Sequence, residues 1–516
     1  MLLREPSLNR RLLPRSNLFM VPVHGSELNP PQCAIRVKCW LHMAAPENSA
    51  GANSAQDHRL HRQLGVRDLV LAQILCVVGS SWVGVAAGLG RAQALTWIAA
   101  MLLFYIPVAA VVIALNHILP LEGGLYVWAH RAFGNLGGFL TAWNLWVYGI
   151  AVTATILYAI PTELAYLIGP SAAWLPENHI ASLSIVIAII AAVTLAALHG
   201  LDWGKWIHNI GGLAMLTVFL GLILLPAWAL FNHSIAHGMT FAVQLPPTNL
   251  RSFALFGQLL VGALCGIEYI AIFAGESRQP ASSITRSVWI ASPIICAMFI
   301  LGTSSVEVFA NANSSGHIDF IAPIPQTLRL ALGNSGIGNL VAMAVILLLQ
   351  LRLLGAASYI FTGVTRLPMT VAWDNLLPAW FTRLHPQRRT PHNSILLSAG
   401  LVTLLVIAAS IGVHAQEAFQ VLSNASLTHY ELAYMAMFAI PLIGAASLRK
   451  QLPPSLKWIA LTGFCAALFS LLISAYPFVD VVNPLAYAIK IAGAVTASNL
   501  IAITFYKLRR PLSNRS

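Results

Sequence analysis

Along the chain, apolar runs of membrane length alternate with short polar segments. Each is long enough to cross a ~30 Å hydrocarbon core as a helix of about 20 residues. Twelve such spans are predicted, at roughly 69–89, 94–118, 136–164, 180–199, 207–231, 252–275, 288–310, 337–362, 393–412, 418–444, 456–477 and 483–506. Two of them are interrupted. Span 1 reaches Gly79-Ser80-Ser81 about ten residues in, near the bilayer midplane. Span 6 is broken by Gly262, Cys265 and Gly266, carries Glu268, and leaves through Gly275-Glu276-Ser277-Arg278-Gln279-Pro280. Unsatisfied peptide groups and charges are costly in lipid, so breaks of this kind are tolerated where they line a site.

The two breaks lie five spans apart. Five is odd, so a five-helix repeat is necessarily inverted, and paired interrupted helices in corresponding halves point to a binding site at the midplane. The expected organisation is an all-α polytopic membrane protein. A polar, basic arm covers residues 1–65, a first five-helix unit 66–231 and a second, inverted unit 252–445. Two trailing helices follow at 456–506, then a basic tail at 507–516. Residues preceding Met43 admit a second reading, as an upstream extension that is not translated.

Composition sharpens the picture: 58% of the 516 residues are hydrophobic and 9% charged. The net charge of +12 invites a nucleic-acid reading, but the placement of the basic residues argues otherwise. With the N-terminus cytoplasmic, only Arg91, Arg251 and Arg329 of the 29 Lys and Arg fall outside, and Arg352 and Lys490 fall within spans. The charge therefore reports orientation in the cell membrane, with both termini cytoplasmic. Six cysteines show no disulfide framework or zinc spacing. No Walker loop, HExxH pair or Gly-x-Ser-x-Gly elbow is present, so neither an enzyme nor a cofactor is expected.

Four patterns in order resemble the amino acid–polyamine–organocation permease superfamily over roughly residues 66–445. They are Gly79-Ser80; Glu122-Gly123-Gly124 with Tyr126; Gly266-Ile267-Glu268 through Gly275-Glu276 to Pro280 and Arg286; and Arg366 with Asp374 to Pro378. The resemblance implies a LeuT-like fold of five plus five helices with two trailing ones. It also implies a substrate held between helices 1, 3, 6, 8 and 10. By position, the backbone at Gly79, Ser80 and Ser81 would meet a carboxylate, and carbonyls near Ala263, Leu264, Cys265 and Gly266 would meet an ammonium. The half-helix dipoles agree, making a small zwitterion or amine the expected partner. The chain departs from the family's usual pattern at Ser81, where a glycine is normal. It also carries Gly262 where arginine exchangers of this kind have tryptophan. Span 5 has no mid-membrane lysine, and Ser358 and Thr362 form no adjacent sodium-binding pair.

Individual residues keep two readings each. Glu268 is either a carboxylate that exchanges a proton with the transport cycle or a structural acid. Arg352 either pairs with Glu163 or Glu307, stands in for a bound cation, or snorkels. Trp143, Asn144, Trp146, Tyr148 and Tyr359 either line the pocket or pack helices. Glu431 is a relay or a structural acid, and Glu276, Arg278, Arg366 and Asp374 are an inner gate or solvated charges. The function expected is secondary active transport of amino acids or related amines, by proton symport or exchange for a counter-substrate. A non-transporting sensor on the same pocket is the alternative.

Overall fold

The computed structural model describes residues 64–508, apart from Glu122 and short stretches at 233–234, 236–237, 240–243, 275–276, 313–317, 386–387, 389, 411–414, 478–480 and 482. The N-terminal arm, Gly275, Glu276 and the tail beyond Leu508 thus lie outside the described residues, as does Met43.

Among the described residues the chain is helical, and its one extended pairing is a lone bridge between Leu64 and Ser277. In chain order the helices are α1 (Val66–Val77), α2 (Ser80–Ala87), α3 (Gly90–Ile118), α4 (Leu125–Ile168), α5 (His179–His199) and α6 (Leu201–Phe231). Then come α7 (Leu250–Ala263), α8 (Tyr269–Ile272), α9 (Pro280–Ala312), α10 (Pro323–Leu332), α11 (Gly336–Val364) and α12 (Leu367–Trp373). The last four are α13 (His392–Ala409), α14 (Ala415–Ile443), α15 (Leu456–Ile473) and α16 (Pro484–Leu508). Nine helices among the described residues are long and apolar enough to cross a membrane, or ten when α1 and α2 count as one span bent by 45°. Twelve requires adding two more. These are the short apolar α7 and the 29-residue α14, whose polar side chains include Gln420, Asn424, His429 and Glu431.

The sequence explains several boundaries. Asn178 and Asn249 cap α5 and α7, their side-chain oxygens accepting from Ala181 N–H at 3.0 Å and Ser252 N–H at 2.8 Å. Asp68 sits in the first turn of α1, where a carboxylate suits the helix dipole, and accepts from Gly65 N–H at 2.9 Å. The glycine-rich stretch after span 2, expected as a loop, is helical from Leu125. Leu125, Tyr126, Trp128 and Ala129 bury one face, and Gly134 at φ +76° turns this segment into the span that follows.

The two broken helices run antiparallel beside each other. The start of α1 meets the end of α8, where Arg278 N–H donates to Leu64 O at 3.1 Å, while α2 packs against the last turns of α7. Around them lie α4 and α14, which pack along each other, and α6, α9 and α11. Close approach depends on small residues: a Cβ on Gly211 would meet Gly355 Cα at 3.1 Å, and one on Gly212 would meet the Leu71 carbonyl oxygen at 2.7 Å. Gly212→Val should therefore destabilise the fold by roughly 1–3 kcal/mol through overpacking. A lowered melting temperature in detergent would show it, with Gly221→Ala on the same helix unchanged because a Cβ there meets nothing within 4 Å.

Candidate functional site

The first break consists of two extended residues, Val78 (φ −79°, ψ 102°) and Gly79 (φ −95°, ψ 135°). It frees the last carbonyls of α1 and the first N–H groups of α2, and no side chain caps α2. Two buried ionisable side chains bracket it. The Arg352 guanidinium, from α11, donates through Nη2 to Val78 O at 2.6 Å, placing a cation on the negative end of α1. Glu163, from α4, accepts from Ser80 Oγ and from Gln350 Nε2, each at 3.3 Å. Arg352 and Glu163 lie at the same break without forming an ion pair within 4.0 Å. Glu307, the other partner considered for Arg352, instead hydrogen-bonds Asn311 and lies near Arg91.

The second break begins two residues later than the glycine pattern suggests. α7 widens into a π-helical turn over Gln258–Ala263, and the backbone is unwound from Leu264 to Glu268. The carbonyls of Leu264 and Cys265 accept no hydrogen bond among the described residues. Gly266 adopts φ +108°, a conformation side chains disfavour, and a Cβ there would stand 2.9 Å from Cys76 Sγ on α1. The second break is thus in contact with the last turn of α1, and glycine is what lets them meet.

Glu268 holds this second break open through α14. Tyr430 and Tyr434 both donate their hydroxyls to its carboxylate, and the Tyr434 oxygen in turn accepts Gly266 N–H at 2.9 Å. Tyr148 of α4 stacks on Tyr430 with centroids 3.5 Å apart and turns its hydroxyl to Cys265 Sγ at 3.8 Å. Cys265 is further fixed by donating to Gly262 O at 3.2 Å. Gly79, Ser80, Ser81, Ala263, Leu264, Cys265, Gly266, Glu268 and Arg352 are thereby assembled in one place. Among the described residues no cluster of His, Cys, Asp and Glu suited to a metal ion occurs.

Other expected site residues go elsewhere. Trp143 donates to Ser498 Oγ at 3.0 Å and stacks near Phe505, so it binds α4 to α16; Asn144 pairs with Asn499 in the same seam. Tyr359 stacks on Phe273 at 5.1 Å and edges against His208, lining a small cavity with Asp68, Lys205 and Asn209 toward the start of α1. Glu431 accepts from Ser470 Oγ and joins α14 to α15. Arg366 donates to Thr362 O at 2.9 Å and lies over the Phe273 ring, while Asp374 is taken by Tyr126 and His130. Gln350 and Tyr434 escaped the sequence reading. Each reaches its partner only through tertiary contact, across sequence separations of 187 and 166.

On the face that carries Asp319 and Arg329, a vestibule of about 360 Å³ opens among Thr162, Tyr166, Pro170, Asp319, Ile321 and Gln416. Asp319 accepts from Tyr166 Oη at 3.0 Å and caps the turn at Ile321 and Ala322; Arg329 donates to Tyr166 O and Leu167 O at 2.7–2.9 Å. The opposite face is closed by Asp68, which accepts from Asn209 Nδ2 at 2.8 Å and pairs with Lys205 Nζ at 3.0 Å.

The amino acid permease family model matches residues 69–503. An uncharacterised transporter of Legionella pneumophila is 26% identical over 383 residues, covering 73% of this chain and 80% of its own. The probable agmatine/putrescine antiporter of Lactococcus lactis is 25% identical over 375 residues, covering 71% and 77%. The amino-acid permease AapA of Bacillus subtilis is 24% identical over 375 residues, covering 68% and 75%. The match runs through both broken helices and the helices that bracket them. The protein is an integral membrane transporter, not an enzyme, and belongs to the amino acid permease family.

Proposed function

We propose that this protein moves a small amino acid or related amine across the cell membrane by alternating access, through proton symport or exchange for a second such solute. The observation that carries the reading is the contact between two interrupted, antiparallel helices. One offers the uncapped N-terminus of α2, the other the unpaired carbonyls of Leu264 and Cys265. A carboxylate suits the first and an ammonium the second. The names of the relatives, permease and antiporter, support transport over sensing. Residues 66–231 and 252–445 act as the two inverted halves, with both termini cytoplasmic and the Asp319 face outside.

Energy enters as differential affinity: a solute or proton biases the inward and outward states only by binding them unequally. Glu268 is the proton-exchanging group in this scheme. Its carboxylate is tied through Tyr434 to Gly266 N–H, so a change in its charge alters the backbone that faces the substrate. Arg352 takes the place of a coupling cation at the Val78 carbonyl, which favours a cycle that needs no sodium.

A radiolabelled amino acid and amine panel in proteoliposomes, with and without an imposed proton gradient, tests the reading; counterflow separates exchange from symport. Absence of any uptake or counterflow across the panel would refute it. Wild-type uptake should be unchanged when potassium replaces sodium. Arg352→Gln should lower it at least about tenfold, in line with ~1.5–3 kcal/mol for a buried charge-assisted hydrogen bond. Sodium-stimulated uptake in the wild type would contradict the assignment of Arg352.

Glu268→Gln should leave uptake or counterflow flat between pH 5 and 8 while the wild type remains pH-dependent. A variant with the wild-type profile and rate would remove Glu268 from the coupling step.

A further inference from the structure

We propose that the Trp82 indole is the outer lid of the site and the wall that limits the length of substrate side chain it accepts. The size-selecting part rests on the transport reading above; the lid part does not.

Trp82 is the third residue of α2. Helical side chains lean toward the N-terminus of their own helix, which carries this ring back over the first break. A Cβ on Gly79 would stand 2.5 Å from its Cδ1 and 2.8 Å from its Nε1. The far edge of the ring reaches the other broken helix, where a Cβ on Gly262 would stand 2.6 Å from Cη2 and 3.0 Å from Cζ2. The indole therefore spans the gap between α2 and α7, and both ends rest on glycines whose missing side chains make the room.

What lies beyond the ring gives its role. Trp82 walls a cavity of only about 20 Å³ with Ser81, Phe320, Phe419 and Gln420. Ile321 and Gln416 line both that cavity and the 360 Å³ vestibule, so the two adjoin. The indole thus stands between the vestibule and the breaks. Packing alone holds it, since Trp82 makes no hydrogen bond among the described residues, and it is only partly buried. A solute coming from the vestibule has to displace the ring to reach Gly266. Once the ring has returned, the side chain of that solute must fit beneath it.

Cys76 serves as a built-in reporter, because it is partly exposed and adjoins Gly266. A membrane-impermeant methanethiosulfonate would be applied to cells from the Asp319 face, with modification of the Cys76 peptide read by mass spectrometry and Cys76→Ser as the blank. Trp82→Ala should raise the modification rate about tenfold and raise the uptake of phenylalanine relative to alanine by a similar factor, the scale on which a pocket discriminates apolar groups. Trp82→Phe should stay close to wild type. Gly262→Ala, which pushes the ring with a single methyl, should also raise Cys76 modification and covers the case of a Trp82→Ala protein that fails to fold.

Equal Cys76 modification in the wild type, Trp82→Ala and Gly262→Ala would overturn the lid. Faster modification with an unchanged phenylalanine-to-alanine ratio would overturn the size-selecting part. If the wild type transports nothing in the panel, the transport reading fails while the modification arm still reports on the lid.

Discussion

Every peptide group that leaves a helix inside a bilayer needs another partner, because lipid offers none. The architecture around the two breaks answers that requirement with residents of the surrounding helices. Arg352 attends to the freed Val78 carbonyl and Tyr434 to the freed Gly266 N–H, and each is a buried group that would itself be costly alone. Break and partner are mutually necessary. A buried guanidinium is tolerated because a helix end faces it, and the helix end is tolerated because the guanidinium is there.

Those partners leave some groups unmatched. Among the described residues, the first turn of α2 and the carbonyls of Leu264 and Cys265 stay free between Arg352 and Glu163. An all-protein solution was within reach, since Glu163 and Ser80 already lie next to the α2 terminus. Among the described residues, the donors left over belong to one break and the acceptors to the other. Glycine keeps that gap narrow: Gly79 and Gly262 accept the indole, and Gly266 accepts Cys76.

How much of this could be read beforehand follows from the kind of signal each residue gives. Gly79 and Gly266 announce their breaks because each stands near mid-span beside further small or polar residues, Ser80-Ser81 and Gly262 with Cys265. The start of the second break was placed two residues early because Gly262 reads as a breaker, whereas it stays in the π-helical turn and makes room for the Trp82 ring. Gly123-Gly124, lying between spans 2 and 3, suggested a loop, yet the apolar face of Leu125, Tyr126, Trp128 and Ala129 has helical spacing and won. Trp143 and Tyr148 were indistinguishable as aromatics five residues apart on one helix. Which of them faces the site depends on the rotation of α4 against α14 and α16, and no local pattern encodes that angle. Arg352 was legible as a residue needing a partner, but the choice of the Val78 carbonyl over the carboxylates of Glu163 and Glu307 was not.

The closure on the face opposite the vestibule is built differently from the core of the site. Lys205–Asp68 is an ion pair and His130 lies 3.3 Å from Asp374, with side chains 14–37% exposed, and contacts of that kind are worth ~0–1 kcal/mol each and are screened by salt. The helices they fasten are long and apolar; the fastenings are weak and wet. Loosening this face thus disturbs little of what keeps the chain folded, and how firmly it is shut becomes a property of the electrolyte that bathes it as much as of the protein.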